Sequence, residues 1–167
     1  QPDEKLVRLL VRKAGLIEPI AHVLANRGIK NENEARQFLN PTLKNLQPPD
    51  ELPDIEVAAE RIIKAVKDRE SIVVYGDYDA DGVTSTALLV SFLQSIGAVV
   101  STYQPDRLKE GYGLNVDALS RLLSEGVNLV VAVDLGVADA KAVEWASSRG
   151  IDVIVVDHHQ VPEEMPE

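Results

Sequence analysis

Ile72–Val83 reads I-V-V-Y-G-D-Y-D-A-D-G-V, and the reading of the chain starts there. Four residues of strand character, Ile72–Tyr75, run into Gly76. Three aspartates then fall at alternate positions, Asp77, Asp79 and Asp81, and Gly82 follows. A short apolar run bounded by glycine predicts a fully buried strand. Like charges so close together repel unless a cation or protons hold them. Ending a buried strand in three carboxylates therefore points to a hard divalent metal; the plainer alternative is a solvated acidic turn.

Two other motifs compete for the same residues. An EF-hand loop requires glutamate at its twelfth position and a helix before it. Counted from Asp77 that position is Leu88, and a strand precedes the loop, so the EF-hand reading fails. The stretch Asp79–Val83, D-A-D-G-V, also looks like the nucleophile loop of haloacid-dehalogenase-type phosphatases. That reading gives the histidines further along the chain no role.

Downstream the pattern alternates. A helix is expected from about Thr84 to Ile96, apolar nearly all round and therefore buried, ended by Gly97. A strand follows at 98–103, then the loop Q-P-D-R-L-K-E-G-Y-G-L-N and a helix carrying Leu119, Leu122 and Leu123. The third strand, Leu129–Val133, ends in Asp134. After a helix over 138–149 capped by Gly150, the fourth strand, Val153–Val156, ends in Asp157-His158-His159. Strands alternating with helices imply right-handed crossovers and one parallel sheet. The expected fold class is thus α/β, a doubly wound parallel sheet of order about 2-1-3-4 with helices on both faces. In such sheets ligands bind at the strands' carboxyl ends, where the strand order reverses. Three of the four strands end in ionisable residues, and the order 2-1-3-4 brings all three clusters to one crevice.

Upstream, residues 1–68 read as a small helical lead-in, with the catalytic unit confined to 69–167. Residues 1–14 fit either a short strand or a docking arm. Leu16, Ile20, Val23 and Leu24 recur at helical spacing up to Gly28, and a short helix spans Glu34–Leu39 before Asn40-Pro41. Gln47–Pro53 is a proline-rich connector. Asp54 is placed to cap a helix with an apolar stripe of Ala59, Ile62, Ile63 and Val66. His22 has no other ligand type beside it and reads as structural.

Carboxylates with one or two imidazoles and no sulfur suit Mn²⁺ or Mg²⁺, and histidine tilts the choice toward manganese. Paired ions about 3.5–4 Å apart can clamp the attacking and leaving oxygens of a phosphoester displacement. Asp134 is the candidate to bridge them. A histidine not used as a ligand can hydrogen-bond a phosphate oxygen or help protonate the leaving group. Asp134, Asp157 and the histidines each have a bland alternative as turn, cap or exposed loop residues, but their recurrence at matched strand ends favours a site.

The net charge of −10 is unevenly placed. Residues 1–70 hold 12 basic and 12 acidic side chains, whereas 71–167 hold 5 and 15. Phosphate-gripping surfaces are normally basic, so the balance argues against a general nucleic-acid grip; a metal cluster would neutralise several carboxylates locally, and the others fit an acidic surface for solubility. Absent cysteines exclude disulfides and thiolate metal sites. No apolar run is long enough to span a bilayer, and the opening residues, Q-P-D-E-K, lack a signal-peptide pattern. A cytoplasmic location without a membrane partner is the expectation.

D-Y-D-A-D-G, V-D-L-G and D-H-H, in that order and spacing, resemble motifs I, II and III of the DHH phosphoesterase superfamily. A-R-Q-F-L-N-P-T-L, A-A-E-R-I-I-K-A-V and P-D-R-L-K-E-G-Y-G-L further resemble its branch of bacterial single-strand-specific exonucleases. The resemblance runs from about Leu6 to the end of the chain. It implies a hydrolase, a 5′→3′ exonuclease acting on single-stranded DNA with Mn²⁺ or Mg²⁺ in DNA repair and recombination. By the same resemblance Asp79, Asp81, Asp134 and His158 are metal ligands, with Asp77 in or beside that shell. His159 contacts the substrate phosphate, and Arg107 is a looser candidate for a phosphate contact. Single-strand-binding or replication and repair proteins are the implied protein partners. Motif II in these nucleases often carries cysteine where Leu135 stands. Their fourth motif lies beyond D-H-H, so the chain reads as a fragment, truncated after motif III and inactive alone. The alternatives are another DHH phosphoesterase, acting on oligoribonucleotides, cyclic dinucleotides or pyrophosphate, or an inactive DHH-like replication scaffold.

Overall fold

The structure, a computed structural model, describes residues 3–163 and 165–166. They fall into two compact units that divide between Pro53 and Asp54. In the first, α1 (Glu4–Ala14), α2 (Glu18–Asn26) and α3 (Glu32–Leu39) bury Val7, Leu10, Ala21, Leu24 and Ala35 against one another. The opening segment is thus a helix, not a strand or arm. Asp3 accepts a hydrogen bond from the Lys5 amide at its start, Arg12 and Lys13 sit in its last turn, and Gly15 ends it at φ +68°. Its apolar residues Leu6, Val7, Leu10 and Ala14 repeat at helical intervals that the interspersed basic residues obscure. His22 lies 3.8 Å from Glu18 on the same helix, a surface i, i+4 pair of structural character.

The second unit contains α4 (Ile55–Asp68), β1 (Ser71–Gly76), α5 (Ala80–Ser95), β2 (Val99–Tyr103), α6 (Val116–Ser124), β3 (Leu129–Val133), α7 (Ala140–Ser147) and β4 (Asp152–Val156). All four strands are parallel in the order β2-β1-β3-β4. Alternation along the strands sends their side chains to opposite faces. Val73, Tyr75, Val130 and Ala132 pack under α6 and α7, with Leu119, Leu122, Val143 and Ala146. Ile72, Val74, Leu129, Val131 and Val133 pack under α4 and α5, with Ala65 and Leu93. β1 and β3 are buried nearly throughout, as befits the two central strands of a parallel sheet.

Three local expectations change. α4, grouped with the lead-in by its sequence, supplies Ala65, Ile62 and Val66 to the sheet core. Asp54 does not cap it through its side chain; its backbone instead turns left-handed at φ 55°. α5 is not buried all round, since Leu88 and Phe92 are exposed and Leu93 faces the sheet. An apolar helix lying on one face of a sheet still leaves its far side to solvent.

Candidate metal centre

The strand order places the ends of β1, β3 and β4 side by side, and their continuations carry the chemistry. The Asp77 amide donates to Val133 O (3.4 Å), and the Asp134 amide donates to Val156 O (2.9 Å). The ladder thus runs one residue past each strand, which fixes both aspartates where the sheet opens. Asp77 is 3% and Asp134 5% exposed.

Gly76 and Gly82 are required by close approach. A Cβ on Gly82 would stand 2.6 Å from the Asp77 amide nitrogen, and one on Gly76 would collide with Thr86 Oγ1. Without side chains there, the first turn of α5 can press onto the end of β1. Asp79 is the N-cap of that helix, its Oδ1 accepting from the amides of Asp81 (2.9 Å) and Gly82 (3.1 Å). The Gly82 amide above all, with that of Asp81, holds Asp79 below the ordinary carboxylate range. Asp134 is displaced the other way, upward, by burial first and then by the neighbouring Asp79 charge, with His158 pulling back. Asp134 also stands at φ 65°. Aspartate tolerates this left-handed conformation better than most side chains.

Carboxylate oxygens of Asp77, Asp79 and Asp134 lie within 4.8 Å of one another, and Asp134, His158 and His159 form a second such group. His158 Nε2 is 2.9 Å from Asp134 Oδ1. Asp77 Oδ1 and Asp134 Oδ2 are buried and have no hydrogen-bond partner among the described residues. Orphaned buried carboxylate oxygens are costly, and here they converge with other hard donors. This donor set fits a hard divalent cation. Asp81 stands apart. It is exposed in the first turn of α5, its amide is spent on Asp79, and it is in neither group. Arg107 lies over the Tyr78 ring, 5.3 Å from its centroid, and is exposed.

Asp157 turns inward and organises the second and third motifs. Its Oδ2 accepts from the Val137 amide (3.0 Å) and its Oδ1 from the amides of His158 (2.8 Å) and His159 (3.1 Å). His159 Nδ1 lies 2.7 Å from the same Oδ1. Burial alone would push Asp157 up, but the Val137 amide, the His159 ring and the two following amides outweigh it and hold it down. The Asp157 contact in turn raises His159, against a smaller opposing effect of burial.

Sequence reading missed Tyr112 and Asp139. The Tyr112 hydroxyl donates to Asp134 O (3.2 Å) and lies 3.3 Å from His159 Nδ1. Burial, then the charges of Asp157, Asp77 and Asp134, push its hydroxyl up to about 12. Tyr112, Gly136–Asp139, Asp157, His159 and Gln160 line an adjacent depression of about 310 Å³.

A doubly wound parallel domain with carboxylates and imidazoles gathered at its switch point defines a class of candidate divalent-cation site. Residues 71–167 match the DHH family, N-terminal domain, and the chain belongs to the DHH family. Over all 167 residues it is 38% identical to the single-stranded-DNA-specific exonuclease RecJ of Bacillus subtilis, covering 21% of that protein. The crystal structure of an exonuclease RecJ bound to manganese aligns with 70% of the chain and 30% of its own, at TM-score 0.65 and 37% identity. RecJ of Thermus thermophilus in complex with Mn²⁺ aligns with 99% of the chain and 22% of its own, at TM-score 0.63 and 28% identity. The chain spans about a fifth of the length of the Bacillus relative.

Proposed function

We propose that this DHH domain is the metal-binding part of a 5′→3′ exonuclease that hydrolyses single-stranded DNA. The observation that carries the reading is the pair of orphaned buried oxygens, Asp77 Oδ1 and Asp134 Oδ2, set among Asp79 and His158. Asp77, Asp79, Asp134 and His158 would hold the ions, Mn²⁺ or Mg²⁺, with Asp134 central because it belongs to both ligand groups. Asp81, implied by family resemblance, would join only by turning inward from the first turn of α5. Bound ions would neutralise charge at the scissile phosphate. His159, fixed by Asp157 and raised toward its protonated form, offers a hydrogen bond to a phosphate oxygen. Arg107, exposed on the loop after β2 beside the Tyr78 ring, is the proposed second phosphate contact.

The reading extends to domain limits and setting. The sequence boundary between a helical lead-in, 1–68, and the DHH domain, 69–167, is kept as a proposal, with α4 assigned to the domain because it packs into the sheet core. Single-stranded DNA is the proposed substrate, with single-strand-binding or replication and repair proteins as partners in the cytoplasm. Among the described residues no helix is long and apolar enough to cross a membrane.

The test is Mn²⁺-dependent release of nucleotides from 5′-labelled single-stranded DNA by the full-length protein. Asp79→Ala is expected to abolish release. Release that persists undiminished in Asp79→Ala, or that needs no divalent ion, overturns the reading.

A further inference from the structure

We propose that Asp139 is a positioning residue that acts on the candidate centre through Tyr112. Asp139 begins α7, yet its side chain does not cap that helix. Its Oδ2 instead accepts from the Leu114 amide at 2.7 Å, reaching across to the loop after β2. Gly113 lies against the same carboxylate. At φ +86° its missing Cβ would come within 2.6 Å of Asp139 Oδ2, so the glycine lets the carboxylate seat on the loop backbone. Two further bonds fix the segment from the other side. The Tyr75 hydroxyl donates to Gly113 O (3.3 Å), and Asn115 Nδ2 donates to that hydroxyl (3.2 Å). Asp139 is half-buried, and burial, then the Asp157 charge, raises it while the Leu114 amide lowers it.

The residue so held is Tyr112, two positions before Leu114. Its hydroxyl lies within hydrogen-bond distance of both the Asp134 main chain and His159 Nδ1. Asp134 sits in a left-handed conformation, which its surroundings must hold in place. Releasing Leu114 would free the Gly111–Leu114 turn and withdraw the hydroxyl from both partners. The inference rests on the proposed nuclease reading for its activity readout, but the latch itself is a property of the fold.

The experiment compares Asp139→Ala, Asp139→Asn, Tyr112→Phe and the double variant Asp139→Ala/Tyr112→Phe in the full-length protein. Asp139→Ala and Tyr112→Phe should each lower turnover roughly 10–100-fold, the usual loss when a supporting partner of a metal site is removed. The double variant should be no slower than Tyr112→Phe alone, because both act through one contact. Asp139→Asn keeps an oxygen acceptor and should retain turnover within about threefold of wild type. Losses that multiply in the double variant, or an Asp139→Asn as slow as Asp139→Ala, overturn the proposal. Amide hydrogen exchange at Leu114 reads the latch without catalysis. Its protection should fall in Asp139→Ala and hold in Asp139→Asn, and unchanged protection in Asp139→Ala overturns the latch even where the protein proves not to be a nuclease. A wild type that releases no nucleotides overturns the nuclease reading alone.

Discussion

At the scale of single residues, the site rests on which carboxylates face one another and what the backbone asks of them. Asp134 illustrates both. Removing its charge relieves repulsion with Asp79, but alanine at φ 65° would add strain of about 1 kcal/mol. Asp134→Asn separates the two effects, since asparagine tolerates that conformation. In EDTA the Asn variant should melt at or slightly above the wild-type temperature, whereas its metal-dependent hydrolysis should be lost. A melting temperature several degrees lower would show Asp134 to be structural. The sequence told much of this story. Asp77, Asp79, Asp134 and His158 were legible because each closely follows a strand, and strand ends converge in a doubly wound sheet. Asp81, a ligand by family resemblance, lies in neither group of converging donors, although the alternate spacing in D-Y-D-A-D suggests one continuous turn. In the fold the helix begins at Ala80, and the N-cap bond to Asp79 rotates Asp81 outward. Tyr112 and Asp139 were invisible because their relation is tertiary; nothing in G-Y-G or in A-D-A indicates that one loop seats on the other.

At the scale of elements, the β1–α5 junction sets the distance between Asp77 and Asp79, and Gly82 sets the junction. A methyl group there meets backbone, which cannot swing aside as a side chain can. Gly82→Ala should therefore destabilise the domain by about 1–3 kcal/mol and weaken Mn²⁺ binding, both readable in melts with and without the ion. An unchanged melting temperature would mean that α5 shifts freely. A second junction lies away from the site, where Arg61 of α4 meets Glu70 (2.6 Å) and Asp152 of β4 (2.5 Å). Arg61 first, opposed by burial and aided by Lys64, holds Glu70 below its ordinary value. A depressed carboxylate gives stability that is present above its unfolded value of about 4.3 and is lost as pH falls through the lower folded value. Arg61→Ala should cost roughly 1–3 kcal/mol at neutral pH and flatten that acid-side loss in melts run from pH 7 to 3. An equal acid-side loss in the variant would assign it to other carboxylates. The order of elements from α4 onward was readable from periodicity; the strand order was a supposition that brought the ionisable strand ends together, and the sheet has it. The first helix was not, because five basic and acidic residues interrupt its apolar repeat over 4–13. The exposed side of α5 was not either, since an apolar helix does not reveal by composition which face a sheet will cover.

At the scale of the whole molecule, charge decides what the chain can grip. From residue 71 onward 15 acidic side chains face 5 basic ones, and the acidic excess includes the candidate ligands themselves. Divalent ions would neutralise the cluster locally, yet single strands are held along their length by positive grooves and stacking aromatics. Aromatic residues make up 4% of the sequence, and Tyr75 and Tyr103 stack on each other within the domain instead, their centroids 4.8 Å apart. Arg107 and Tyr78 form a basic and aromatic pair at the surface, enough to touch one nucleotide but not to track a strand. Residues 1–167 expressed alone should therefore fold, bind Mn²⁺ with a raised melting temperature, and bind single-stranded DNA poorly. Turnover should be negligible on 5′-labelled single strands in Mn²⁺. Calorimetry, melts and nucleotide release from the same preparation separate these claims. Strong release that disappears in Asp79→Ala would show that the acidic domain needs no separate basic groove, and that local neutralisation by the bound ions suffices to recruit the strand.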